Sequence, residues 1–301
     1  MEFYIFVYKA CAVSLYTILV REVDGRFVTL FFNMSQNDLK RPNRILLIFS
    51  AIHIKSLAFR FATPSFIAAK RSDRSMDQFY NHDDKEAEKK KTQYTTFEDA
   101  GCFTGFSVRE EGNNVVVTAN YKLGCFDQAV WTISPDGTAA IDFTYNFSGV
   151  VDLMGVMFDY PEDKVLSKRW VGDGPYRVWQ NRLHGPQLGV WENEYNDPIP
   201  AESFTYPEFK GYFANVQWMT LETQEGMISI CNRTPQNYVG VYQPRDGRDG
   251  LLYTFPVTGI SLMKVIPPVR NKVNTTDLIG PSSQAFWADG EYGGGITLKF
   301  E

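Results

Sequence analysis

From about Pro64 onward, short runs of apolar and β-branched residues recur, and polar clusters rich in Gly, Pro, Asn and Asp separate them. Val115–Tyr121 and Ala139–Tyr145 concentrate Val, Ile, Thr, Phe and Tyr, the side chains that pack best on a pleated surface. The runs predict strands over Asn114–Tyr121, Gln128–Ser134, Ala139–Phe147, Leu153–Phe158, Phe213–Glu222, Gly226–Asn232, Leu251–Phe255, Ile260–Ile266 and Gly295–Phe300. Glu111–Asn114, Gln224–Gly226 and Asp246-Gly247 supply turn chemistry between them. Ser134-Pro-Asp-Gly137 predicts a hairpin joining Trp131 to Tyr145. Strands never alternate with amphipathic helices of about 10 to 15 residues, so the chain cannot hold a (β/α)₈ barrel, which takes about 250 residues of that alternation. The pattern predicts an all-β protein with antiparallel sheets. Asp83–Lys91 departs from it and reads as a solvated excursion or short exposed helix.

Residues 1–56 form an atypical N-terminal extension, set apart from a second region, 57–301. They carry seven Lys/Arg against four acids, in a chain whose total charge is −5. The apolar run Ala10–Val20 has 11 residues, too few for a membrane span of about 20. Glu2 and the lack of a small-x-small cleavage site make it a poor secretory signal. A second apolar run, Ile45–Ile54, follows the Arg41-Pro-Asn-Arg44 break, and the segment is either a short strand-rich extension or an unusual or misassigned start. The acidic balance excludes the concentrated basic face that nucleic acid would require. Cys11, Cys102, Cys125 and Cys231 are widely spaced, which argues against a zinc site. Buried free thiols are the expectation, with Cys102 and Cys125 the one pair open to bridging. No cofactor is expected.

The tract Trp170-Val-Gly-Asp-Gly-Pro-Tyr-Arg-Val-Trp-Gln-Asn-Arg182 reads as a strand running into a glycine–proline turn. Gly172 and Gly174 are expected to adopt backbone angles closed to other residues, with Pro175 setting the exit. The pattern W-x-G-x-G-P-x-x-x-(Y/W)-x-(D/N)-R resembles the C-terminal, small-chain β-sandwich of family 2 β-galactosidases. Asp136-Gly-Thr138, Met154–Phe158, Gly189–Tyr195 and Tyr206–Gly211 follow in the order expected of that domain, so the resemblance runs from about Ser65 to Glu301. It implies a large antiparallel supersandwich of the galactose mutarotase-like kind. It also implies a place beside a separate barrel carrying both catalytic glutamates, a galactoside-type ligand, and a periplasmic or secreted parent enzyme. The resemblance departs at Thr258–Ile266, where a sugar-stacking tryptophan is absent. Trp287 comes later and cannot be equated with it.

The residues assigned to carbohydrate contact are Tyr176, Arg177, Trp179, Asn181, Arg182, His184, Trp191 and Glu192. Arginine forks and tryptophan faces suit sugars, yet the same groups serve equally to pin a turn and fill a core. Glu192 and Glu194 share a strand face, but hydrolysis with retention needs two carboxyls about 5–5.5 Å apart in a pocket. No catalytic residue is therefore assigned. Two alternatives stay open. One is a mutarotase-like enzyme using His184 with Glu192 or Glu208, since ring opening needs an acid and a base. The other is a non-catalytic interaction module. Asp246 and Asp249 form a turn rather than a calcium loop. Asn232-Arg-Thr and Asn274-Thr-Thr match the glycosylation pattern, one too common to be informative.

Overall fold

The computed structural model describes the strands within 4–50, then 64–71, 94–97, 102–158, 160, 164–194, 211–241, 259–268 and 284–301. Every regular element among the described residues is a β-strand. The strands within the first 56 residues are β1 Tyr4–Ala10, β2 Val13–Val20, β3 Phe27–Ser35 and β4 Ile45–Ser50, an antiparallel meander in sequence order. Most of the apolar run Ala10–Val20 lies in β2, and the run from Ile45 begins with β4.

The remaining strands are β5 Ser65–Arg71, β6 Tyr94–Phe97, β7 Cys102–Glu111, β8 Asn114–Lys122, β9 Phe126–Ile133, β10 Ala139–Val151 and β11 Leu153–Phe158. They continue as β12 Val165–Gly174, β13 Gln187–Glu194, β14 Trp218–Thr223, β15 Gly226–Asn232, β16 Tyr238–Val241, β17 Ile260–Val265 and β18 Phe286–Phe300. Nine of them form one sheet in the order β13-β12-β14-β15-β18-β10-β9-β8-β7, and five form another, β16-β17-β11-β5-β6. All named pairings are antiparallel, giving the expected all-β supersandwich.

Alternation decides which face of the large sheet is buried. Along β10, Ala139, Ile141, Phe143 and Tyr145 point inward, while Asp142, Asn146 and Ser148 face solvent. The inward side chains meet Phe66 and Ala68 of β5, Val156 of β11 and Leu262 of β17 in one core. Phe126, Phe143, Tyr145 and Tyr292 form a row of stacked rings, and Phe66 packs on Tyr145 at 5.2 Å between centroids. Burial, with Tyr292 close by, pushes the Tyr145 phenol above its ordinary pKa.

The β9–β10 hairpin has the turn its sequence predicts. Gly137 takes φ +83, and its N–H donates to the Ser134 carbonyl at 3.0 Å. Two expected strands differ in length. Gly295–Phe300 is only the end of β18, because Gly290 and Gly293–Gly295 pair along β10 instead of turning. Phe213–Glu222 is shortened to Trp218–Thr223. Asn215 adopts φ +50, which breaks the extended run, and its amide donates to Asp173 Oδ2 at 2.7 Å. Leu251–Phe255 and Asp83–Lys91 lie outside the described residues. Among the described residues, no helix is long and apolar enough to cross a membrane.

Candidate functional site

The tract at Trp170 is first a packing device. Trp170 is fully buried in the middle of β12, with its ring edge-on to Phe213 at 4.7 Å and its indole N–H donating to the Asp173 carbonyl at 2.9 Å. The two glycines act through space, not through unusual angles, which corrects the expectation, since neither has a positive φ. A Cβ on Gly174 would sit 2.5 Å from Cδ1 of Trp191, and one on Gly172 would sit 3.0 Å from the Ala214 carbonyl oxygen. Antiparallel register places Trp191 of β13 opposite Trp170 and Gly189 opposite Gly172. Gly172 thus makes room for the 214–216 backbone, while the missing side chains of Gly174 and Gly189 let the Trp191 ring lie against β12, its N–H within 3.2 Å of the Gly172 and Gln187 carbonyls.

Beyond Gly174 the chain makes the loop 175–186, which is stitched to its surroundings. Val178 exchanges backbone hydrogen bonds with Tyr212 at 2.8 and 2.9 Å, and Gln180 N–H donates to the Pro267 carbonyl at 3.2 Å. Trp179 is buried, edge-on to Tyr212. Arg177 is also buried, its guanidinium carbon 5.6 Å from the centre of the Phe213 ring. Neither presents a surface to a ligand from solvent. Both side chains, assigned to carbohydrate contact from the sequence, face the core. Trp191 and Asn181 are half-buried, while Tyr176, Arg182, His184 and Glu192 stand exposed. The structure therefore places two of the eight residues in the core, two half-buried and four exposed.

Glu192 and Glu194 point outward from β13, the edge strand, opposite Arg169 and Ser167. His184 is exposed in the loop; Glu208, its alternative partner, lies outside the described residues, as do Asp246, Asp249 and Asn274. Cys125 and Cys231 are free thiols. Cys231 is exposed rather than buried because it falls on the outer face of β15. Asn232 is buried, its Oδ1 accepting the Thr234 N–H at 2.9 Å, so folding hides this glycosylation match. No cluster of three or more His, Cys, Asp or Glu suited to a metal occurs among the described residues.

A depression of about 430 Å³ opens on the outer face of the nine-stranded sheet, where sequence reading placed nothing. Gln128, Val130, Asp142, Thr144, Arg233, Thr234 and Gly293–Gly295 line it. Arg233 Nη2 pairs with Asp142 Oδ1 at 2.5 Å. The one visible sequence signal was the unbroken Gly293-Gly-Gly295, misread as the boundary of a strand. Trp287, left unassigned above, stands 74% exposed on β18 opposite Val150.

The family described as β-galactosidase small chain matches over residues 57–258. No curated protein sequence matches the chain. Among solved structures, a galactose 1-epimerase from Lactobacillus acidophilus aligns over 100% of this chain and 98% of its own at 9% identity, with a TM-score of 0.47. A GalM/aldose epimerase homologue from C. elegans aligns over 95% and 99% at 10% identity, TM-score 0.35. An α-N-acetylgalactosaminidase from Bifidobacterium bifidum aligns over 98% of this chain but only 36% of its own, at 10% identity and TM-score 0.33.

Proposed function

The chain belongs to the β-galactosidase small-chain family, and from that premise we propose that it works as a carbohydrate-associated module of a galactoside hydrolase. Its part is to hold a rigid sandwich beside a catalytic barrel and to lend one wall of the glycan pocket. The cleaving carboxylates belong to that barrel and not to this chain.

The observation that carries the reading is the build of the loop 175–186. Val178, Trp179 and Gln180 tie it to core segments, so its rim cannot collapse when a ligand departs. Tyr176, Arg182 and His184 project from that fixed base. A phenol, a guanidinium and an imidazole together offer a ring face and several donors to sugar hydroxyls. Glu192 stands farther along β13, opposite Arg169. Arg177, Trp179 and Trp191 support the rim from beneath. Glu192 and Glu194 stand exposed on an edge strand, without the pocket between two facing carboxyls that hydrolysis with retention requires.

Purified chain should release nothing from nitrophenyl β-galactoside above buffer, and should bind a separately expressed hydrolase barrel of the same family type. Amide signals of Tyr176, Arg182 and His184 should shift when galactose is added to that complex. Turnover by the chain alone that Glu192→Ala abolishes would overturn the reading.

A further inference from the structure

We propose that the depression on the outer face of the nine-stranded sheet is a second binding site, for a neutral sugar ring. It shares the ligand class of the proposed function and none of its residues.

Register builds it. Two rungs of the ladder cross the sheet here, Val130–Asp142–Gly295 and Gln128–Thr144–Gly293. Side chains on neighbouring strands about 5 Å apart ordinarily fill the surface between them. Gly295 makes room for the Asp142–Arg233 pair, since a Cβ there would stand 2.6 Å from Asp142 Oδ1 and 3.0 Å from Arg233 Nη2, and Gly293 leaves main chain as the floor beside Thr144. Across that floor stand Arg233 and Thr234, from the segment following β15. The segment is pinned on several sides. Arg233 N–H donates to the Gly295 carbonyl at 2.9 Å, Gly295 N–H donates to Thr234 Oγ1 at 2.9 Å, and Asn237 N–H donates to the Thr234 carbonyl at 2.8 Å. The walls are thus in place before a ligand arrives, which lowers the ordering cost of binding.

The lining selects the ligand. A sugar hydroxyl both donates and accepts, so its site needs groups of both kinds. Asp142 only accepts, Arg233 only donates, and Gln128, Thr144 and Thr234 do both. Arg233 Nη2 is engaged by Asp142 and by the Ile141 carbonyl at 3.1 Å, leaving Nε and Nη1 hydrogens and the second Asp142 oxygen for the ligand. The ion pair cancels its own charge: an anion meets Asp142 and a cation meets Arg233, while a neutral polyol can satisfy both. Val130 adds an apolar spot for a C–H face. The volume lies within the range of small-molecule sites.

The test is amide chemical-shift mapping on the full chain, titrated separately with galactose, glucose and methyl β-galactoside, and with galacturonate and glucosamine as charged counterparts. At least one neutral sugar should shift residues 142–144, 233–234 and 293–295. Asp142→Asn and the near-isosteric Thr144→Val should each weaken that binding by about fivefold or more. Trp287→Ala should leave it unchanged, because Trp287 lies six residues along β18 from Gly293, about 20 Å away. Shifts confined to 176–184 would support the loop and sink this site, whereas shifts confined to the depression would support this site and leave the loop to be judged in the complex with the barrel. No shift here with any neutral sugar, or tighter binding of galacturonate, would overturn the proposal.

Discussion

Gly174→Ala separates two explanations of the same glycine. If the residue is needed for space, the new methyl collides with the Trp191 ring, whose Cδ1, Cγ and Nε1 would stand 2.5, 2.6 and 2.6 Å away. The indole must then tilt off β12 and give up its N–H contacts to the Gly172 and Gln187 carbonyls. Overpacking of this kind costs about 1–3 kcal/mol, and a lost hydrogen bond about 1 kcal/mol. We expect Gly174→Ala to destabilise the protein by about 2–3 kcal/mol, read as a fall in the denaturant midpoint at unchanged slope. In a Trp191→Ala background the obstruction is gone, so the same substitution should cost less than about 1 kcal/mol. Equal cost in both backgrounds would refute the steric argument and restore backbone freedom as the reason for glycine.

Other outcomes follow from the same geometry. Trp179→Ala should lower stability by about 3–5 kcal/mol, whereas Tyr176→Ala and Arg182→Ala should leave the thermal midpoint within error and change only glycan binding. Arg177→Ala should behave like Trp179→Ala in a melting experiment; a stable variant that merely lost sugar binding would put Arg177 back on the rim. The Thr138 backbone N–H, and then its hydroxyl, hold the Asp136 carboxyl below its ordinary pKa. That contribution is present above the ordinary carboxylate pKa and disappears as pH falls through the lowered value. Asp136→Ala should therefore be less stable than the parent near neutrality and indistinguishable from it in strong acid, and a gap that widens on acidification would contradict this. Ser261 Oγ is buried with no hydrogen-bond partner among the described residues, so Ser261→Ala should be neutral or slightly stabilising by calorimetry.

What could be read from the sequence alone was whatever depends on neighbours in the chain. Alternation along Ala139–Tyr145, the Pro-Asp-Gly turn and the absence of helical periodicity are local properties, and they led to an all-β antiparallel protein. The ordered motif from Trp170 to Arg182 led to the family. What only the tertiary structure decided depends on which distant strand lies alongside. Trp170, Trp179 and Trp191 are alike in a sequence, yet Trp170 and Trp179 are buried against Phe213 and Tyr212, while Trp191 covers Gly174 and Gly189 because β13 folds back on β12 in one register. Gly293–Gly295 looks like a break until β18 is laid against β10, some 150 positions earlier, beside Asp142 and Thr144. Arg233 then reaches the same spot from another loop. Strand pairing sets these neighbours through long-range packing, and the identity of any one residue carries no record of the partner it will face.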